Sequence, residues 1–269
     1  MPSVPHGTHS AQRARHARTG PRILMSILAA STLLAFHSAL ATPPFVTDDA
    51  EPAENGHFEI NVGATGTVRR DEHSGALPAA EINYGATDNL ELNAKVGMSF
   101  MHPSGEKSHY GFGDTELGIK YRFITEDDEG IRPQVAFGPS VTLPTGNDHL
   151  GLGDGHSHVS LPLWVQKSFG DWTTYGGGGY VVNRHANERG YWFGGWALTR
   201  KINEHLELGG EVFYTGAATV ADPSSLAFNL GGKYSFTEHD RLLFSAGRGI
   251  THVNATNQFS YYLGYQRDL

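Results

Sequence analysis

From residue 57 onward the chain alternates, and that alternation constrains it more than anything else in the sequence. Between 90 and 101 one set of positions reads Leu90, Leu92, Ala94, Val96, Met98 and Phe100, and the other Glu91, Asn93, Lys95, Gly97, Ser99 and Met101. Successive side chains of an extended chain point to opposite faces, so this segment has one apolar face and one polar face. The pattern returns at 115–123, where Thr115, Leu117, Ile119, Tyr121 and Phe123 oppose Glu116, Gly118, Lys120 and Arg122. It returns again at 134–143. Period two dominates throughout and no stretch reads as an amphipathic helix. No run reaches the ~18 apolar residues of a membrane-crossing helix either.

Twelve such segments can be marked: 57–68, 79–85, 90–101, 110–124, 134–143, 159–168, 172–182, 191–201, 206–215, 225–236, 240–248 and 257–267. Most have the length that a tilted strand needs to cross a bilayer. Their connections differ by side. Those after the even-numbered strands are tight, such as 86–89, 170–171, 203–205 and 237–239, with 125–133 as a longer acidic exception. Those after the odd-numbered strands are expected to be long: 69–78, 102–109, 144–158, 183–190, 216–224 and 249–256. Short turns at one end and long loops at the other is the habit of outer-membrane barrels. Two strands resist assignment of faces. Leu242, Leu243 and Phe244 are consecutive in 240–248, and Gly176 to Gly179 interrupt 172–182.

Alternation does not say which face looks inward. A soluble barrel of the lipocalin type encloses its apolar face. Three features favour the opposite orientation. Charges of both signs sit at mid-strand positions on many strands. Twelve up-and-down strands are ordinary for outer-membrane barrels and rare for soluble ones. Aromatic residues gather near strand ends (Phe58, Tyr84, Phe100, Tyr110, Tyr121, Phe123, Trp172, Trp192, Tyr234, Phe236), as in interfacial girdles. The last strand adds Phe259, Tyr261, Leu263 and Tyr265 in alternation, resembling the signal read by the barrel assembly machinery, although Leu269 and Arg267 depart from it. The expected fold is therefore all-β: a transmembrane antiparallel up-and-down β-barrel of about 12 strands over residues 57–269.

Residues 1–41 read as a secretory signal peptide. Arg13, Arg15, Arg18 and Arg22 precede an apolar run from Ile23 to Phe36, and Ala39-Leu40-Ala41 supplies the cleavage site. Removing that leader takes four of the 20 Lys and Arg and none of the 28 Asp and Glu, leaving a charge of −12. Such an acidic chain is a poor match for nucleic acid. With no cysteine it has no disulfide, thiol nucleophile or lipoprotein anchor. Residues 42–56 precede the first strand and are expected either to hang in the periplasm or to plug the lumen.

Several phrases resemble a known family. Pro43-Pro44-Phe45-Val46-Thr47-Asp48-Asp49-Ala50-Glu51-Pro52, then Gly56-His57-Phe58-Glu59, is similar to the start of outer-membrane transporters named for the MetA pathway of phenol degradation. So is Pro139-Ser140-Val141-Thr142-Leu143-Pro144-Thr145-Gly146, with Gly151 and Gly153 after it. The resemblance implies an outer-membrane channel connected with uptake of small, aromatic or hydrophobic compounds, and assigns no binding residue.

Twelve strands fall between the eight that fill their own interior and the sixteen that leave a wide pore. Glu59, Glu81, Glu91, Lys95, Glu116, Lys120, Arg122, Glu207, Glu211 and Lys233 are the candidate lumen lining. They form either a filter for neutral or cationic solutes or a salt-bridged filling. Trp164, Phe193, Phe213 and Tyr262 share the polar parity and make either a constriction or filler. His149, His156 and His158 lie near carboxylates in the loop at 144–158 and are weak candidates for a metal such as Zn or Cu; a solvated loop or contact with lipopolysaccharide is the alternative. No cofactor is expected. Beyond the lipid, the lipopolysaccharide, the assembly machinery and a solute, no partner is implied. The rival functions are a non-conducting structural or adhesive barrel and, further off, a lipid hydrolase. For the latter, Ser157, His156 and Ser160 are close in sequence, but the chain has no His-x-Ser-Asn-Gly phrase.

Overall fold

The structure, a computed structural model, describes residues 43–127, 130–185 and 188–269. The expected leader at 1–41 lies outside the described residues. Twelve strands follow one another: β1 (Phe58–Val68), β2 (Glu72–Thr87), β3 (Leu90–Pro103), β4 (His109–Phe112 and Thr115–Ile124), β5 (Gln134–Phe137 and Ser140–Leu143), β6 (His158–Phe169), β7 (Trp172–Val182), β8 (Tyr191–Lys201), β9 (Leu206–Thr215), β10 (Ser225–Ser235), β11 (Asp240–Gly249) and β12 (Phe259–Asp268). Each pairs antiparallel with the next, and β1 pairs with β12 from Glu59↔Asp268 to Val68↔Phe259. The sheet is thus closed, which removes the unpaired edges that hydrocarbon would not tolerate.

The orientation is apolar outward. Leu92 and Leu117 are each 44% exposed and Ile119 39%, whereas their strand neighbours Glu91 and Lys120 are only 4% and 3% exposed. Phe58, Tyr110, Tyr121, Phe123, Trp172, Trp192, Tyr234 and Phe236 are exposed as well. On β11, left unassigned by its sequence, Leu243 and Ser245 turn inward and are buried.

Three expectations about segment ends are corrected. The connection expected at 69–78 is only a tight turn at 69–71, closed by Arg69 N–H donating to the Glu72 carbonyl at 2.7 Å, and β2 begins at Glu72 instead of 79. The strand absorbs Leu77-Pro78 as a bulge, its register to β3 shifting between Ala76 and Ala79. A proline has no N–H for the ladder, so its presence argued against a strand there. β4 breaks at Gly113-Asp114 and β5 at Gly138-Pro139, for the same reason in the second case. Its first piece, His109–Phe112, pairs with β3 alone. Among the described residues the connections also hold a 3₁₀ turn at Asp148–Leu150 and a helical turn, α1 (Val253–Thr256).

Candidate functional site

Inward side chains meet across neighbouring strands because the register places them opposite one another. Glu81 faces Lys95, and Lys95 faces Glu116, in one row over β2, β3 and β4. The Glu81–Lys95 pair measures 3.7 Å. Glu207 faces Lys233 at 3.6 Å, near the turn end. Glu59 accepts from Asn61 Nδ2 and Asn83 Nδ2 at 3.1 and 3.2 Å. Glu116 accepts a long bond from Thr142 Oγ1 at 3.4 Å.

The remaining members of the set are engaged by residues 43–55, which run among these inward side chains. Glu211 accepts the backbone N–H groups of Val46 and Thr47 at 2.8 and 2.7 Å, and Asn229 Nδ2 at 2.6 Å. Lys120 Nζ bonds Asp48 at 3.0 Å and Asp49 at 3.4 Å. Arg122, two residues on and therefore on the same face, pairs with Glu51 at 2.8 Å. Gln134 Nε2 holds the other oxygen of Glu51 at 2.6 Å. Glu91 accepts from Ala53 N at 2.8 Å, and Ser245 Oγ donates to the Pro44 carbonyl at 2.5 Å. The acidic run Asp48, Asp49, Glu51 thus matches the two cations of β4. That run was visible in the sequence; its partners, over 70 residues away, were not. Gln166 and Gln134 are further inward groups outside the candidate set, whereas Lys167, of the opposite parity to Gln166, lies on the other face of the strand. Lys167 reaches the 125–133 turn at Glu126 and Asp127, 3.4 Å from each carboxylate.

The wall is shaped for this segment at two glycines. A methyl group on Gly85 would strike the Ala53 and Glu54 carbonyls, and one on Gly195 would strike the Thr47 hydroxyl. Around Gly195, Trp164 packs with Ala50, Ala136 and Phe193, and Phe213 is buried nearby. Pro43, Pro44 and Phe45 border two open spaces. One, about 1210 Å³, lies toward the turns, and its lining has ten carboxylates against four Lys or Arg. The other, about 350 Å³, lies toward the loops against Ala79, Leu152, Phe213, Tyr261 and Tyr262.

The histidines divide. His149 is exposed beside Asp148. His156 Nε2 pairs with Glu188 at 2.8 Å and its ring stacks on His185. His158 is buried, Nδ1 lying 3.5 Å from Asp154. Among the described residues no three His, Asp or Glu come together in a way that holds a metal. The loop carrying them is pinned to the break in β4: Asp114 accepts Gly146 N at 2.8 Å and Asp154 N at 2.7 Å, and Leu152 is buried.

Burial, with Asp114 and Glu188 nearby, pushes the Asp154 carboxyl up to about 8. The pinned loop therefore holds a proton that a released loop would give up above roughly pH 4. Pinning is strongest in acid and weakens as pH climbs through about 8. Amide exchange at 146–154, corrected for its intrinsic rate, is expected to quicken from pH 6 to pH 9, and Asp154→Asn is expected to flatten that dependence. His156, through its ring nitrogen to the Asp154 carbonyl, His158 and Tyr191 also lie near Asp154.

The architecture is similar to that of solved outer-membrane barrels. The COG4313 outer membrane channel from Pseudomonas putida F1 aligns over 82% of this chain and 98% of its own, with TM-score 0.69 and 17% identity. The KdgM porin aligns over 77% and 98%, with TM-score 0.52 and 11% identity. No curated protein matches by sequence. A family model does match, over residues 42–267, and the chain belongs to that family, described as "Putative MetA-pathway of phenol degradation".

Proposed function

We propose that the protein is an outer-membrane channel for small solutes, without cofactor or enzymatic activity, and that residues 43–55 close it. The observation that carries this reading is the position of that segment: it is bonded to inward groups of β3, β4, β5, β9 and β11 and lies between two open spaces. Passage then requires the segment to move. The loop-side space, with its alanine, leucine and aromatic lining, suits solutes with an apolar or aromatic body. The carboxylate-rich turn-side space disfavours anions. A leader cleaved after Ala41 takes the chain to the periplasm, the assembly machinery reads β12, and the two aromatic belts seat the barrel in lipid and lipopolysaccharide. In planar bilayers the protein is expected to give discrete, infrequent conductance steps.

Silence at high protein load would favour the second reading, a non-conducting barrel, for which the many bonds on the segment also speak. Lys120→Met separates the two. It leaves Asp48, Asp49 and Glu91 close together without their cation, and removing one partner of a buried pair costs ~3–5 kcal/mol. Open events are expected to become about a hundredfold more frequent or greater. Adding Asp48→Asn and Asp49→Asn is expected to restore closure. A channel that ignores all three changes is not held shut by this segment.

A further inference from the structure

Residues 45–47 lie against one row of inward side chains. The register sets Tyr175 of β7 opposite Ala197 of β8, Ala197 opposite Glu211 of β9, and Glu211 opposite Asn229 of β10. Neighbours in such a row are close enough to touch. The short Ala197 between two long side chains leaves a recess, and Phe45 packs there with Tyr175 and Ala197. Beside it, Glu211 takes the N–H groups of Val46 and Thr47 on its two oxygens, at 2.8 and 2.7 Å. Asn229 Nδ2 holds the first of those oxygens at 2.6 Å. Phe45 and Glu211 are only 5% and 3% exposed. Phe45 nonetheless borders both open spaces, so a solute in either one lies next to it.

We propose that this row is a ligand site of the lumen, that residues 45–47 occupy it as a built-in mimic, and that its ligand is a small arylalkylamine. The proposal rests on the reading that the segment moves. The seated segment shows the template: an aromatic ring, then Cβ, Cα and the carbonyl carbon of Phe45, then the N–H of Val46. When the segment leaves, the recess at Ala197 accepts a ring. Glu211 is then a carboxylate aligned by Asn229 and without the N–H groups that filled it. An ammonium brings several donors and a positive charge, and so makes the stronger, charge-assisted bond. An aromatic carboxylate has the ring but meets Glu211 with like charge. A ligand that replaces the segment binds the released state alone, so it raises the share of open barrels.

The test is calorimetric titration of the complete mature chain with phenylpropylamine, which copies the template. Lys120→Met frees the segment from outside the row. It is expected to bind the amine about a hundredfold more tightly than the wild type, since apparent affinity follows the released fraction. Phenylpropionate is expected not to bind, and propylamine, which lacks the ring, to bind at least about tenfold more weakly. Adding Ala197→Leu to Lys120→Met fills the recess, and is expected to keep the barrel open while binding is lost. In the wild type, the amine is expected to quicken amide exchange at Val46 and Thr47. Equal affinities of wild type and Lys120→Met, or amine binding that survives Ala197→Leu, would overturn the site even where Lys120→Met conducts. A barrel silent in bilayers that shows the whole binding pattern would support the site and remove the channel.

Discussion

A chain lacking residues 43–55 is expected to insert as the same barrel and to be open at least about a hundredfold more of the time than the complete mature chain. The barrel survives because its integrity lies in the strand ladder, closed by β1 against β12, and not in the segment. The lumen opens because the segment occupies the space between the 1210 Å³ and 350 Å³ cavities. Deletion frees Glu211, Glu91, Lys120 and Arg122, but into a water-filled lumen where they are solvated, so little folding stability is lost. The freed charges balance, but over the whole inward set Glu59, Glu81, Glu91, Glu116, Glu207 and Glu211 outnumber Lys95, Lys120, Arg122 and Lys233. The opened pore is therefore expected to pass cations over anions, with a reversal potential of the corresponding sign in a salt gradient. Equal open times from the two chains, with both barrels shown to be folded, would mean that solute does not pass where the segment lies.

How much of this could be read in advance varied with local chemistry. β3 and the second piece of β4 stood out because leucines and isoleucines alternate there with Glu, Lys and Arg, so each residue reports its own face. β2 was shortened because 72–78 offers Gly75, Ala76 and Pro78 in place of a strong alternation. β11 defied the rule for a physical reason. A segment inside the barrel gives the lumen an apolar patch at Pro44 and Phe45, so an inward Leu243 is buried and the run Leu242-Leu243-Phe244 has no wrong face. The glycines of β7 likewise make sense only in three dimensions, since a methyl group on Gly177 would strike the Leu163 carbonyl of the neighbouring strand and press on the Trp164 ring. As for the site, the inward charges follow from parity alone. Their division into cross-strand pairs and anchors for residues 43–55 does not, because it depends on contacts between residues far apart in the chain.

If the exposed apolar face meets hydrocarbon, an arginine placed on it costs stability according to its depth in the bilayer. Val96→Arg and Leu117→Arg place a charge on outward positions midway along β3 and β4, and Phe123→Arg places one near the turn end. In lipid vesicles, denaturant unfolding is expected to show losses of ~2–4 kcal/mol for the first two and ~0–1 kcal/mol for the third, since the cost of a charge falls with distance from the bilayer centre. Three losses all within about 0.5 kcal/mol of zero, the usual effect of a substitution facing water, would contradict the account.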